Sequence, residues 1–272
     1  YEGRWFGVFA TADIIGFGSG PMFAGLIRGW LGFDAVFIAM ALIMGASTLI
    51  IMVLLPPRPP QALNTNQKAL FQTNASIWNA LKDRLTVALT FRHVLFSFSW
   101  GSTLAFLAVR LENELLIGPV AIGLAFGVQN FASGISQPML GWLTDHMNRV
   151  ILVAVGLVFA GGCVVAVGTV GNLPLVLVFM ILLGASGAMT QVAASALEIV
   201  AGRRVGLGTV IGLGSSGGGV GILCGAVLGG YLVDLFDTSA AFLFAGAVMI
   251  LGTPLFLLLV KGQSTKSESG VI

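Results

Sequence analysis

Apolar runs of about 20 residues recur along this chain, and each is the length an α-helix needs to cross the hydrocarbon core of a bilayer. The stretch AVFIAMALIMGASTLIIMVLL, from Ala35 to Leu55, holds no charged residue. Composition points the same way: 9% of the 272 residues are charged and 57% are apolar, where soluble chains carry about 25% charged residues. There is too little polar surface to coat a water-facing fold. The strict alternation of a membrane β-barrel is absent. The fold class that remains is an all-α integral membrane protein. Cys163 and Cys224 both fall inside apolar runs. They read as buried thiols rather than a disulfide, and no Cys/His cluster has metal-ligand spacing.

Eight transmembrane helices are predicted, over about 6–28, 33–55, 93–110, 118–140, 150–170, 173–197, 207–233 and 239–260. Most connections are short. The exception, 56–92, opens PPRPPQ, and its prolines end the second helix. Within it, SIWNALKDRLTVAL puts Ile77, Trp78, Leu81, Leu85 and Ala88 near one helical face. That segment either lies along the membrane surface or is a solvated linker helix. Of the 13 lysines and arginines, all but Arg28 and Arg110 fall on one side of this topology. The positive-inside rule makes that side cytoplasmic. Glu198, Arg203 and Arg204 read there as orientation charges. The other side collects Asp34, Glu112, Glu114, Asp234 and Asp237, the last four of which read as solvated loop residues. Trp5, Trp30 and Trp142 sit at helix ends, as interfacial tryptophans do, whereas Trp100 lies mid-helix.

Two segments repeat. GFGSGPMFAGLIRGWLGFDAVFIAM starts at Gly16 and GILCGAVLGGYLVDLFDTSAAFLFA at Gly221, an offset of 205 residues and six helix steps. Gly16, Gly20 and Gly25 align with Gly221, Gly225 and Gly230, and Ala226 stands where Pro21 is. Parallel six-helix repeats are one way transporters are built. The first copy lacks the four helices that precede the second, so about 115 residues are expected before Tyr1 by the same spacing. Gly217, Gly221, Gly225 and Gly229 form a small-residue stripe spaced by four, and Ala12, Gly16, Gly20 and Ala24 form another. Such stripes let membrane helices approach closely. The stripes serve either packing alone or the holding of one conformational state. Pro21 removes a backbone hydrogen bond and kinks its helix.

GWLTDHMNRV, residues 141–150, resembles the G-x-L-x-D-x-x-G-R motif of the major facilitator superfamily, as it occurs between the eighth and ninth helices. Gly141, Leu143, Asp145 and Arg149 match, and Asn148 replaces a glycine. GFGSGPMFAG resembles the fifth-helix G-x-x-x-G-P-x-x-G-G motif of drug and proton antiporters in that superfamily. Gly16, Gly20, Pro21 and Gly25 match, and Ala24 departs. The resemblance covers essentially the whole chain as helices five to twelve of twelve. It implies that residues 1–55 are the last two helices of an N-terminal half and 56–92 a cytoplasmic central loop. Residues 93–260 are then a six-helix C-terminal half, and 261–272 a cytoplasmic tail. It implies a multi-pass protein of the cell membrane that moves a small molecule by alternating access, through proton-coupled efflux. A nutrient importer or facilitator of the same fold is the alternative. The gating role implied for the 141–150 turn sets Asp145 against the positive N-terminus of the helix near Arg4. Arg149 would pair with an acid or with carbonyls, while His146 stays at the surface.

Asp13 lies nine residues after Arg4, about 13 Å deeper on a helical rise and so near the middle of an approximately 30 Å core. An intramembrane carboxyl is a functional candidate by default, here as the proton-coupling site, unless it is tied to a residue of the absent helices. The superfamily's seventh and tenth helices line its cavity. That nominates Trp100 and Thr103 on 93–110 and Gln191 on 173–197, with Gln129 and Asn130 on the neighbouring eighth. Buried amides and hydroxyls equally serve as bonds between helices. The partners expected are a small-molecule substrate, protons and the lipid bilayer, with no nucleic acid, no cofactor and no metal, in a protein monomeric when complete. No HExxH, paired catalytic carboxylates, suitably placed GxSxG or Gly-Lys phosphate loop marks an enzyme. A non-transporting membrane assembly or sensor protein is the remaining class.

Overall fold

The computed structural model describes residues 2–54 and 77–267, with side chains from residue 18 to 54 and from 78 to 261 apart from Asn79. Nine helices lie within the described residues: α1 Glu2–Leu31, α2 Phe33–Leu54, α3 Ile77–Lys82, α4 Arg84–Asn113, α5 Pro119–His146, α6 Arg149–Thr169, α7 Leu173–Val205, α8 Leu207–Leu235 and α9 Thr238–Ser267. Eight are long, and each overlaps one of the expected helices. Six of them, α2, α4, α6, α7, α8 and α9, are long and apolar enough to cross a membrane by length and composition. This corrects the expected eight. In α5 the run is diluted by Gln129, Asn130, Ser133, Ser136 and Gln137, and in α1 most of the first half lies outside the described side chains.

Side-chain caps and glycines set the boundaries. Asn172 accepts from the Leu175 amide at 3.0 Å to start α7, and Pro119 occupies the first position of α5, where a missing N–H is harmless. Gly32 (φ 85°) and Gly206 (φ 93°) turn the chain between α1 and α2 and between α7 and α8, a conformation that L side chains rarely adopt.

The boundary at 92 is corrected too. Helix α4 starts at Arg84, well inside the expected loop. Asp83, in extended conformation, accepts hydrogen bonds from the Thr86 amide at 3.0 Å and its hydroxyl at 2.8 Å. That cap breaks the proposed amphipathic face. Trp78 and Leu81 are exposed on α3, whereas Ala80, Leu85 and Ala88 are buried.

Helices α4 to α9 form one bundle. α4 packs on α8 and α9, α5 on α7, and α6 on both α7 and α9. α1 packs along α5, and α2 touches α1. Lipid tails are as apolar as leucine, so close packing and hydrogen bonds hold such helices together. The α4–α8 crossing shows how. A Cβ on Gly221 would lie 2.6 Å from the Val94 carbonyl oxygen, one on Gly225 would strike the Phe98 carbonyl, and one on Gly217 would lie 2.9 Å from Thr90. At Gly229 the neighbours are Phe106 and the Ser102 hydroxyl. Ser102 donates to the Gly225 carbonyl at 2.8 Å across the same crossing.

The first stripe behaves differently. A Cβ on Gly16 or Gly20 would meet nothing within 4 Å among the described residues. The face of α1 that meets α5 is Gly18, Pro21, Met22 and Gly25: Gly25 lies against Pro119 and Gly123, Gly18 against Phe131, and Met22 against Gly127. Of the four motif residues, then, Gly25 and Pro21 are at this contact and Gly16 and Gly20 are not.

Candidate functional site

Helix α4 carries a polar line on its inward face. Ser99, Trp100 and Thr103 meet Gln129 of α5, with Phe96, Val164, Leu183 and Met249 closing the walls. The space enclosed is about 10 Å³, roughly one water-sized probe. Ser99, Thr103 and Gln129 are buried. Thr103 donates to the Ser99 carbonyl at 2.9 Å. The Ser99 hydroxyl and the Gln129 carbonyl oxygen are buried with no hydrogen-bond partner among the described residues. Buried polar atoms are seldom left so. Trp100 leans edge-on against Phe126, ring centroids 6.4 Å apart. The sequence candidates Trp100, Thr103 and Gln129 are thus brought together. Asn130 is not among them: its amide donates to the Phe126 carbonyl of its own helix at 3.0 Å. A larger groove of about 430 Å³ between α6 and α9 is lined by Val155, Val158, Phe159 and Leu257. It is apolar and faces outward, as a lipid-contacting surface does.

Gln191 goes elsewhere. Its carbonyl accepts from the Arg92 guanidinium at 2.8 Å, and Arg92 is fully buried. Arg92 also reaches His93 Nε2 at 3.2 Å, and its guanidinium lies 5.6 Å from the centre of the Phe96 ring. His93 Nε2 lies 3.7 Å from Glu198 Oε1. Phe96 is shared between this cluster and the small cavity. Arg92 is about 12 Å from the start of α4 by helical rise, and Glu198 is seven residues before the end of α7. The reading of Glu198 as an orientation charge is corrected: it is half-buried and faces His93. Sequence reasoning missed the cluster. The signals available were the arginine–histidine pair opening an apolar run and the shared helical face of Gln191 and Glu198, seven residues apart.

At the opposite end, two of the acids expected in solvated loops, Glu112 and Glu114, are paired. Arg28 of α1 binds Glu112 of α4, at 2.7 and 2.9 Å to its two carboxylate oxygens. Arg110 is buried. It donates to the Ser239 hydroxyl at 2.6 Å and the Val170 carbonyl at 3.2 Å, and it lies 3.3 Å from Glu114. Glu114 in turn accepts from Thr238. Among the described residues, the two cations of this end thus tie helices together, and the burial of Arg110 leaves its charge needing partners.

The 141–150 turn is short. Gly141, Leu143 and Asp145 lie on the last turns of α5, only Met147 and Asn148 intervene, and Arg149 opens α6. Asn148 has φ −65°, so glycine's freedom is not needed there. Its side chain accepts from the Val150 amide at 2.9 Å and caps α6. Leu143 packs against the core, and Asp145 is exposed. His146 is exposed as well, bonded to the Trp142 carbonyl. The Asp13 side chain, and those near Arg4, lie outside the described residues, although both positions are in α1.

Comparison with known proteins fits this arrangement. Residues 89–270 match the Major Facilitator Superfamily. A mouse protein named MFS-type transporter SLC18B1 is 24% identical over 155 residues, 55% of this chain and 34% of that protein. The multidrug resistance protein MdtG of Escherichia fergusonii is 28% identical over 167 residues, 60% of this chain and 41% of its own length. MdtG of an Escherichia coli O6 strain is 29% identical over 157 residues, 56% of this chain and 38% of its own. The chain spans less than half the length of these relatives. With the family match running from within α4 to the end of the bundle, this all-helical, multi-pass membrane chain belongs to the Major Facilitator Superfamily, a family of transporters and not of enzymes.

Proposed function

We propose that the protein is a secondary active transporter that exports a small molecule in exchange for protons, by alternating access between two six-helix halves. The observation that carries this is the similarity of the chain, over 167 and 157 residues, to proteins named for multidrug resistance. The fifth-helix motif through Gly16, Gly20, Pro21 and Gly25 supports the antiporter class. In this reading the chain supplies helices five to twelve of twelve. α2, which has no buried residue among those described, packs on helices of the N-terminal half. The lysine- and arginine-rich side is cytoplasmic, in the cell membrane. The Ser99–Trp100–Thr103–Gln129 pocket is the C-terminal wall of the substrate cavity. Substrate sites hold roughly 300–1,000 Å³, so the cavity is completed by the other half and widens when the halves part. Asp13 exchanges the coupled proton, and Asp145 and Arg149 hold the cytoplasmic side closed.

The test uses inside-out vesicles containing the intact protein, an imposed inward-acidic gradient and a panel of lipophilic cationic and neutral dyes. Gradient-driven dye uptake, lost in Asp13→Asn and slowed in Asp145→Asn at equal membrane abundance, is the expected result. Dye movement in the same direction as protons would make it an importer. No gradient-dependent movement of any dye would remove the antiporter reading.

A further inference from the structure

We propose that His93 and Glu198 form a proton-binding site, with Arg92 as the group that responds to the proton. The argument starts from hydrogen-bond roles. A carbonyl can only accept, so His93 Nδ1, 3.1 Å from the Leu89 carbonyl, carries the ring's N–H. A guanidinium can only donate, so His93 Nε2, 3.2 Å from Arg92, offers its lone pair. The neutral ring then has nothing to donate to Glu198. Two acceptors, Nε2 and Glu198 Oε1, face each other at 3.7 Å, and Glu198 Oε1 is buried with no donor among the described residues.

One added proton resolves this. On Glu198 it makes a carboxylic acid that donates to Nε2. On Nε2 it makes an imidazolium that donates to the carboxylate. In either case Nε2 is taken, and Arg92 loses that acceptor. Its remaining bond is to Gln191 at 2.8 Å, and its Nε has no partner among the described residues. Proton arrival therefore re-aims a buried guanidinium that sits over Phe96, the residue shared with the small cavity. Among the described residues, Arg92 is the charge that acts on both His93 and Glu198. α8 presents Gly214 to the His93 ring, and its ionisable residues, Cys224, Tyr231 and Asp234, are in its second half. α9 offers Lys261 near its end and α3 offers Lys82. On α7, Arg204 lies 4.0 Å from Asp83 and Arg203 is exposed.

The use of this site in coupling rests on the antiporter reading, but proton binding does not. The experiment is pH-difference infrared spectroscopy of the intact protein in liposomes, with the proton as the only ligand. A carboxylic-acid carbonyl band or an imidazolium ring band that grows as pH falls is expected, lost or shifted in Glu198→Gln. In His93→Gln its midpoint should move by about one pH unit or more, as for coupled sites. An unchanged band in folded Glu198→Gln overturns the proposal. If that variant does not fold, His93→Gln decides: an unshifted midpoint overturns the proposal just as firmly. Transport plays no part in the readout, so its failure cannot be confused with failure of the efflux reading.

Discussion

Asn148 shows how one side chain can replace a motif residue without loss. The family's glycine offers freedom at a turn, yet the backbone here stays at φ −65°. What α6 needs at that point is a cap for its first amides, and Asn148 supplies it to Val150 and Ile151. Asn148→Ala should lower stability by about 1 kcal/mol, and Asn148→Gly by only a few tenths, the ranking of cap residues. Thermal unfolding of the purified protein checks the order. Equal loss in both variants would mean the cap is not what Asn148 contributes. At this scale the sequence was partly legible. The departure from glycine was visible at 148, but its compensation was not. The buried roles of Arg92 and Arg110 were hidden for a related reason. A charge near a helix end reads as solvated, and what buries it comes from Gln191, Val170 and Ser239, 60 to 129 residues away in sequence.

Six of the long helices were readable because apolar runs of bilayer length leave little choice. What could not be read was which face of each glycine-rich helix meets a neighbour. A spacing of four fits both stripes equally well, yet the second lies in the α4–α8 crossing and Gly16 and Gly20 of the first touch nothing among the described residues. Helix rotation is set by the partner, and spacing alone does not name the partner. The contrast predicts a matched pair of outcomes on α8. Gly225→Val puts a branched side chain into the Phe98 carbonyl and breaks the Ser102–Gly225 bond. Gly219→Ala adds a methyl where nothing lies within 4 Å and gains roughly 0.5–1 kcal/mol of helix preference. Gly225→Val should sharply reduce monodisperse protein on size exclusion, and Gly219→Ala should match or exceed the parent. Similar behaviour of the two would mean that close approach at Gly225 does not hold α8 to α4.

Across the whole molecule, the described contacts between α1 and the C-terminal bundle run from Gly18 against Phe131, through Gly25 against Pro119 and Gly123, to Arg28 against Glu112. In the two-half reading these helices belong to opposite halves, so the Arg28–Glu112 pair is a bond between halves on the side poor in lysine and arginine. In that reading it forms while that side is shut. Both partners are partly exposed, at 30% and 45% of the side chain, so the pair contributes on the order of 1 kcal/mol or less. A bond that weak cannot lock the transporter, but it can bias two states of similar energy by up to about fivefold. Arg28→Glu or Glu112→Arg alone should increase labelling of a cysteine placed at Trp100 by an impermeant thiol reagent added from that side. The charge-swapped double variant should restore the parent rate. Rescue separates a specific bond from general loosening: if the double variant labels as fast as the singles, the pair does not govern closure.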